Sequence, residues 1–514
     1  MFSPRSAARF LAPPAAAALV LLGTAVPAAH ATPRHTTPKA TAPKGSDFNG
    51  DGYADLVVGV PAATVSGAAG AGYVVVMWGS AHGVSTTDRQ VISRSTAGVP
   101  GNATLSEGLG SHVSSADLDG DGYADLVIDS VEGTSLVLWG GPKGLSQPVE
   151  LTGYDFSATG DFNGDGRQDL LVLHTGGGGD EPLGTKGAIW DGPISRTGKP
   201  ASTRDFGNED TRLDNVLEAR SGDINGDGVD DLALSVWIGQ DDNEVQVYLG
   251  SRDNGPVTKG RYVDGLRGHG HAVALGDVNG DGYADIVAGV LDSGGAGKVV
   301  VDYGSADGVA RTGQTTLDQN SPGVPGVNES EDYFGMSLDV ADTNGDGYAD
   351  VAVGVSGEAL GDIWDAGAVI LMNGSARGLT GTGAVTFTQH TKDVPGAAET
   401  GDHFGDQVRL LDTRKSGHPD FYATADGENS STGAVWDLPG TANGPTATGS
   451  WAFGPPAPTS PHTWPDSAPT STDPLPLGFK IPASAGTTHR TANGRGAGED
   501  DPRACGDDNP TRLR

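Results

Sequence analysis

A chain of 514 residues with 66 acidic and 32 basic side chains carries a formal charge of -34, which excludes a general electrostatic attraction to nucleic acid phosphates. Glycine at 82 positions, with 36% hydrophobic and only 19% charged residues, argues against long amphipathic helices and suits short strands joined by tight turns. A single cysteine, Cys505, rules out an internal disulfide.

In chain order, Arg5 and Arg9 precede the apolar run FLAPPAAAALVLLGTAV, and AHA ends at Ala31. Residues 1–31 are therefore expected to be a secretory signal peptide cleaved after Ala31, and the protein to be secreted and extracellular. The run is broken by Pro13 and Pro14 and falls short of the ~20 apolar residues that a helical span needs. No later segment is apolar enough either, so no membrane span is expected. Residues 32–46, TPRHTTPKATAPKGS, read as a Pro-rich linker.

At Asp47 begins DFNGDGYAD, and the pattern returns as DLDGDGYAD from Asp117, DFNGDGRQD from Asp161, DINGDGVDD from Asp223, DVNGDGYAD from Asp277 and DTNGDGYAD from Asp342. A worn seventh copy, DTRKSGHPD, starts at Asp412. Start-to-start spacings of 44 to 70 residues all exceed the ~40 residues of a four-stranded propeller blade. After each acidic loop comes a short β-rich run, as in LVVGV at 56–60, LVI at 126–128, IVAGV at 286–290 and VAVGV at 351–355. A second strand follows (72–80, 297–305, 367–375), then an outer one such as 383–389, while 333–341 exemplifies the strand ahead of the loop. Four strands per unit and seven units predict an all-β fold, a seven-bladed β-propeller of four-stranded antiparallel blades over residues 47–455.

The FG pairs at Phe334-Gly335 and Phe404-Gly405, the acidic loops and Gly59-Val60-Pro61 together resemble the FG-GAP repeats of the integrin α-subunit N-terminal propeller and of its bacterial secreted relatives. The resemblance spans about residues 44–455. It departs from the family pattern in the third and fourth copies, which lack the FG pair, and in most copies, which lack a literal GAP. What it implies is an adhesion or ligand-binding module whose ligand face is the one opposite the acidic loops.

Calcium takes six to eight oxygens, and alternate positions of a tight loop aim side chains at one centre. In the first loop Asp47, Asn49 and Asp51 supply positions 1, 3 and 5, the carbonyl of Tyr53 supplies position 7, and Asp55 closes the cage at position 9. The same places are held by Asp117, Asp119, Asp121, Tyr123 and Asp125, by Asp161, Asn163, Asp165, Arg167 and Asp169, and by Asp223, Asn225, Asp227, Val229 and Asp231. Asp277, Asn279, Asp281, Tyr283 and Asp285 form the fifth set; Asp342, Asn344, Asp346, Tyr348 and Asp350 form the sixth. About six Ca²⁺ ions are expected. An EF-hand is excluded, because position 12 is Val58 rather than a bidentate Glu and the exit is a strand former. In the seventh loop Arg414 and Ser416 stand at positions 3 and 5, so no metal is expected there, and Arg414 either pairs with Asp412 or Asp420 or faces solvent.

If the acidic loop joins strands A and B, antiparallel alternation puts the B-to-C loops and the D-to-A connections on the opposite rim. Those segments vary most in length, as at 174–187, 355–367, 95–108, 320–332 and 391–402, so an extracellular protein or glycan ligand is expected there, bound by a monomer. Trp78, Trp139, Trp190, Tyr248 and Tyr303 recur near the end of one strand and read as packing residues rather than a sugar platform; Trp364, inside a variable loop, is the better contact candidate. No HExxH, GxSxG or P-loop is present, and His269 and His271 read as blade packing. A calcium-dependent hydrolase or lyase on extracellular polysaccharide or phospholipid is the alternative function. Residues 449–455, GSWAFGP, fit an outer strand of the last blade, and 456–514, without periodicity, read as a disordered tail.

Overall fold

The computed structural model describes residues 45–454 apart from 132, 175–186, 207–215, 240–241, 253–257, 260–271, 292–293 and 311. The expected signal peptide, nearly all of the linker, most of the 174–187 loop, His269 and His271, and the tail with Cys505 lie outside the described residues.

Seven antiparallel sheets of blade type follow one another along the chain. Blade 6 represents the plan: strands A to D run Phe334–Ala341, Asp350–Val355, Ala368–Asn373 and Thr380–Phe387, paired in sequence order. The B strands are short β-branched runs with every residue buried, as in Leu56–Val60 and Asp350–Val355, because blades cover both of their faces. D strands are the polar ones, exposed on their outer edge, as the mixed burial of Thr380–Phe387 shows. Blade 5 adds a small hairpin, Gly304–Ser305 with Gly308–Val309.

Closure is carried by packing between blades. Each apolar cluster is shared by two neighbours: Val57 and Val74 of blade 1 with Leu126 and Leu136 of blade 2, and so on round to Val353 of blade 6 with Val301 of blade 5. The ring shuts where Leu411, Tyr422, Val435 and Phe453 of blade 7 join Leu56, Val58 and Tyr73 of blade 1. Residues Trp451–Phe453 are the outer strand of blade 7, pairing with Ala434–Leu438.

Blade 1 is described only in part. It has three among the described residues, Leu56–Val60, Tyr73–Met77 and Arg89–Ile92. Of its inner strand one rung is present: Ser46 accepts a hydrogen bond from the Asp55 N–H at 2.7 Å, the place that Ala116 takes opposite Asp125 in blade 2. The sequence just ahead, with Pro33, Pro38 and Pro43, is short of the N–H donors and extended residues that an inner strand requires.

The two rims separate as strand parity requires. C-to-D turns meet the acidic loops of the preceding blade, through Gly141 N–H to Phe48 O at 3.0 Å and Ser375 N–H to Val278 O at 3.0 Å. On the other rim the B-to-C loops meet the D-to-A connections, through Leu109 N–H to Ala71 O at 3.0 Å, Phe334 N–H to Ala296 O at 3.1 Å and Phe404 N–H to Ala366 O at 3.0 Å. Here the FG dipeptide has its physical role. The glycine after Phe404 presses its carbonyl against Gly354 in strand B of blade 6, so closely that a Cβ on Gly354 would lie 2.1 Å from it. Gly354→Ala is expected to destabilise the propeller by about 3 kcal/mol, since two backbones must part to admit one methyl; a denaturant midpoint equal to wild type would refute this close approach.

Candidate metal centres

Each acidic loop is wound by its own side chains. The position-1 carboxylate accepts N–H groups from the turn it encloses: Asp47 from Gly50 and Gly52 at 2.7 and 2.8 Å, Asp117 from Gly120 and Gly122 at 2.8 and 3.0 Å. The position-3 oxygen takes the N–H of position 5, as Asn49 takes that of Asp51 at 2.8 Å, and position 5 takes that of position 7, as Asp51 takes that of Tyr53 at 2.9 Å. The pattern repeats at Asp161, Asn163 and Asp165, at Asp223, Asn225 and Asp227, at Asp277, Asn279 and Asp281, and at Asp342, Asn344 and Asp346. Such curling requires left-handed backbone, which Gly50 and Gly52 supply at φ 75° and 87°. Alternate side chains thereby turn inward, and a carboxylate oxygen that has given one lone pair to an amide, as each of those of Asp47 has, keeps another. In the second loop, carboxylate oxygens of Asp117, Asp119 and Asp125 all lie within 4.8 Å of one another. Carboxylate, amide and carbonyl oxygens gathered in this way are the donor set of a hard divalent cation.

Position 9 does more than the sequence suggested. One oxygen of Asp285 accepts the Val278 N–H at 2.9 Å and the other the Gly304 N–H at 2.9 Å, so the carboxylate staples the loop to the end of strand C. Asp55, Asp125, Asp169, Asp231 and Asp350 do the same with the matching pairs. Burial pushes these carboxyls up, Asp55 to about 8 and Asp125, Asp169, Asp231 and Asp285 to about 7, with neighbouring carboxylates adding to the effect. A cation among them would favour the ionised form.

The loops also lock to each other, which the sequence did not disclose. The position-8 N–H of one loop donates to the position-1 carbonyl of the loop before it: Ala124 to Asp47 at 3.0 Å, Asp230 to Asp161 at 3.0 Å, Ala284 to Asp223 at 2.9 Å and Ala349 to Asp277 at 2.9 Å. Loop 7 has Pro419 at that position and no N–H to give. The position-7 side chain lies over the first glycine of the preceding loop, and a Cβ on Gly50 would sit 2.4 Å from the Tyr123 ring. Tyr283 covers Gly226 and Tyr348 covers Gly280 in the same way. The recurrence of tyrosine at position 7, where a carbonyl ligand needs no particular side chain, was the available signal.

In loop 7, Arg414 bonds Asp420 at 2.5 Å and Asp437 at 2.9 Å. The pairing with Asp420 is one of the two expected from sequence; Asp437, on strand C, was not foreseen. The guanidinium takes up the position-9 carboxylate, while Asp420 still staples Gly440 N–H at 2.8 Å.

Matches to known sequences fall on the same parts of the chain. The FG-GAP repeat model matches residues 42–77, 109–138 and 334–387, and the FG-GAP-like repeat model matches 223–288. The chain carries FG-GAP repeats, and its propeller is like that of integrin α subunits. It is 29% identical over 229 residues to integrin alpha pat-2 of Caenorhabditis briggsae, a match covering 38% of this chain and 17% of that one. It is 33% identical over 153 residues to integrin alpha-PS2 of Drosophila melanogaster, covering 26% of this chain and 11% of the relative. The matched region thus spans less than a fifth of either relative's length. A crystal structure of BBS1N in complex with ARL6DN, soaked with lead, is similar at TM-score 0.39 and 13% identity over 77% of this chain and 96% of that one.

Elsewhere in the propeller the aromatic residues divide as their positions suggest. Trp139 and Tyr248 are buried at the ends of their C strands, and Trp78, Trp190 and Tyr303 pack at the margins of inter-blade clusters. Trp364 stands 68% exposed in the B-to-C loop of blade 6, on the rim away from the acidic loops. Among the described residues no helix is long and apolar enough to cross a membrane.

Proposed function

We propose that this protein is a secreted, calcium-binding FG-GAP propeller that works as an adhesion or ligand-binding module, with Ca²⁺ bound by the six intact loops and a macromolecular ligand held on the opposite rim. The observation that carries the metal half of this reading is the inward-facing oxygen set repeated in six loops, with three carboxylates of the second loop already gathered within 4.8 Å. Positions 1, 3, 5 and 9 give side-chain oxygens and position 7 a carbonyl, leaving room for water to complete the six to eight ligands that calcium takes. A bound ion would neutralise carboxyls that burial otherwise makes hard to ionise, and so tighten the A-to-B hairpin of each blade.

Support for the ligand half comes from the likeness to integrin alpha pat-2 and integrin alpha-PS2 and from the rim itself. There the clasped loops are rigid at their roots, while Trp364, Leu105 and Val327 stand 62 to 68% exposed at their tips. Large apolar side chains displayed on a fixed scaffold suit contact with a protein or glycan surface. Probing arrays of extracellular matrix proteins and glycans in 1 mM CaCl₂ and again in EGTA tests the proposal. Retention in calcium that is lost in chelator, and lost also in Trp364→Ala, is expected. Absence of retention on every array, or release of cleaved product, would overturn it.

A further inference from the structure

The second loop is unlike the other five. Its position 3 is Asp119 where they have asparagine, its first glycine, Gly120, is the one first glycine of the six with no atom within 4 Å of where a Cβ would lie, and Arg167 of the next loop does not cover it as Tyr123 covers Gly50. Instead a cation from the neighbouring blade reaches it. Arg196, in the C-to-D turn of blade 3, donates from Nε to Asp119 at 2.6 Å, from a terminal nitrogen to Asp121 at 2.5 Å, and from that nitrogen to the Gly140 carbonyl at 3.1 Å. The corresponding turn residues facing loops 1, 4, 5 and 6 are Pro142, Ala306, Ala376 and Ala442, none of them charged. Arg252, facing loop 3, bonds backbone carbonyls of Gly164, Asp227 and Gly228 and leaves the carboxylates alone.

We propose that Arg196 is a tethered counter-cation of the second loop, competing with the divalent ion for Asp119 and Asp121 and making this the one loop of the six that fills last as calcium rises. The inference rests on the calcium reading given above. Its physical basis is like-charge exclusion: the guanidinium occupies two of the ligand oxygens, and a dication 4 to 5 Å from it would be repelled in a partly desolvated place. Loop 7 offers a related case, with Arg414 from its own position 3 bonded to Asp420 and Asp437. Loop 2 differs in keeping its full donor set, and the extra carboxylate of Asp119 makes the loop acidic enough to hold either cation. Arg196 is the more exposed of the two, its side chain 35% accessible against 14% for Arg414, so solvent is within its reach.

The test is calcium titration by calorimetry of wild type, Arg196→Gln and Arg196→Lys, each also melted in EGTA and in excess calcium. Arg196→Gln is expected to tighten the weakest site by roughly five- to tenfold, the scale of losing a two-contact, partly exposed ion pair. It should lower the melting temperature in EGTA and leave it unchanged in excess calcium, because only the calcium-free loop uses the guanidinium. Arg196→Lys should fall between the two. An unchanged or weaker last site in Arg196→Gln, or equal melting losses in both buffers, would overturn the proposal and make Arg196 a structural clamp. Absence of calcium heat in every form would instead sink the underlying calcium reading, a distinguishable result.

Discussion

In excess EGTA the purified protein is expected to melt roughly 2 to 10 °C below its midpoint in 1 mM calcium. Extracellular calcium modules have dissociation constants of roughly 10⁻⁴ to 10⁻³ M, and on the proposed reading each loop would contribute ~0.4 to 1.4 kcal/mol at about 1 mM free ion. Six loops add to ~2 to 8 kcal/mol, a large share of the ~5 to 15 kcal/mol typical of a folded domain. Charge supports the sign. Without metal each loop holds three or four carboxylates in one turn, and burial has already pushed the position-9 group up to about 7 or 8 in five of them. Magnesium should replace calcium poorly, since it demands a regular octahedron at shorter distances than a loop of this kind imposes. Scanning calorimetry with EGTA, then with restored calcium or magnesium, measures the effect; a midpoint indifferent to chelation removes the metal from these loops.

Asp285→Ala should destabilise the protein by about 2 to 6 kcal/mol, and most of that loss should persist in EGTA. The reason is the staple: without the carboxylate, the N–H groups of Val278 and Gly304 are left buried with no acceptor, at about 1 to 3 kcal/mol each. Asp281→Ala, two positions before the tyrosine and exposed, makes the comparison. In the calcium-free protein it gives up two hydrogen bonds, from the Tyr283 N–H at 3.1 Å and from the Asn279 side-chain amide at 2.9 Å, both in a solvated turn. Its loss should therefore be small in EGTA and appear chiefly with calcium. Denaturant melts of both variants in the two buffers separate the roles, and a neutral Asp285→Ala in EGTA would show that position 9 serves only the ion. The worn loop argues for the double role: Asp420 stays and still holds Gly440 N–H although it is paired with Arg414.

Much of this FG-GAP propeller was legible along the chain. A nine-residue loop carries all its own donors, so spacing alone marks Asp47 to Asp55 as one unit, and the buried run after it as a strand. Recurrence at blade-sized intervals gave the number of blades, and parity gave the rims. The placement of Trp451–Phe453 as an outer strand followed from the alternation of the last unit. The expected fourth strand of blade 1 is not among the described residues, where one rung at Ser46 stands for it.

Contacts between units were a different matter. Arg196 reaches Asp119 across 77 residues of sequence and no local pattern announces it, while the lie of Tyr123 on Gly50 left only the recurrence of tyrosine at position 7 as a sign. Arginine in a turn reads as a solvated charge until a neighbouring blade brings carboxylates to it. The sequence by itself determined what each blade is, because loop ligands and strand faces are set by residues a few positions apart. Only the tertiary structure decided how one blade acts on the next, because closing the ring brings together side chains whose positions depend on the angle and register between separate sheets.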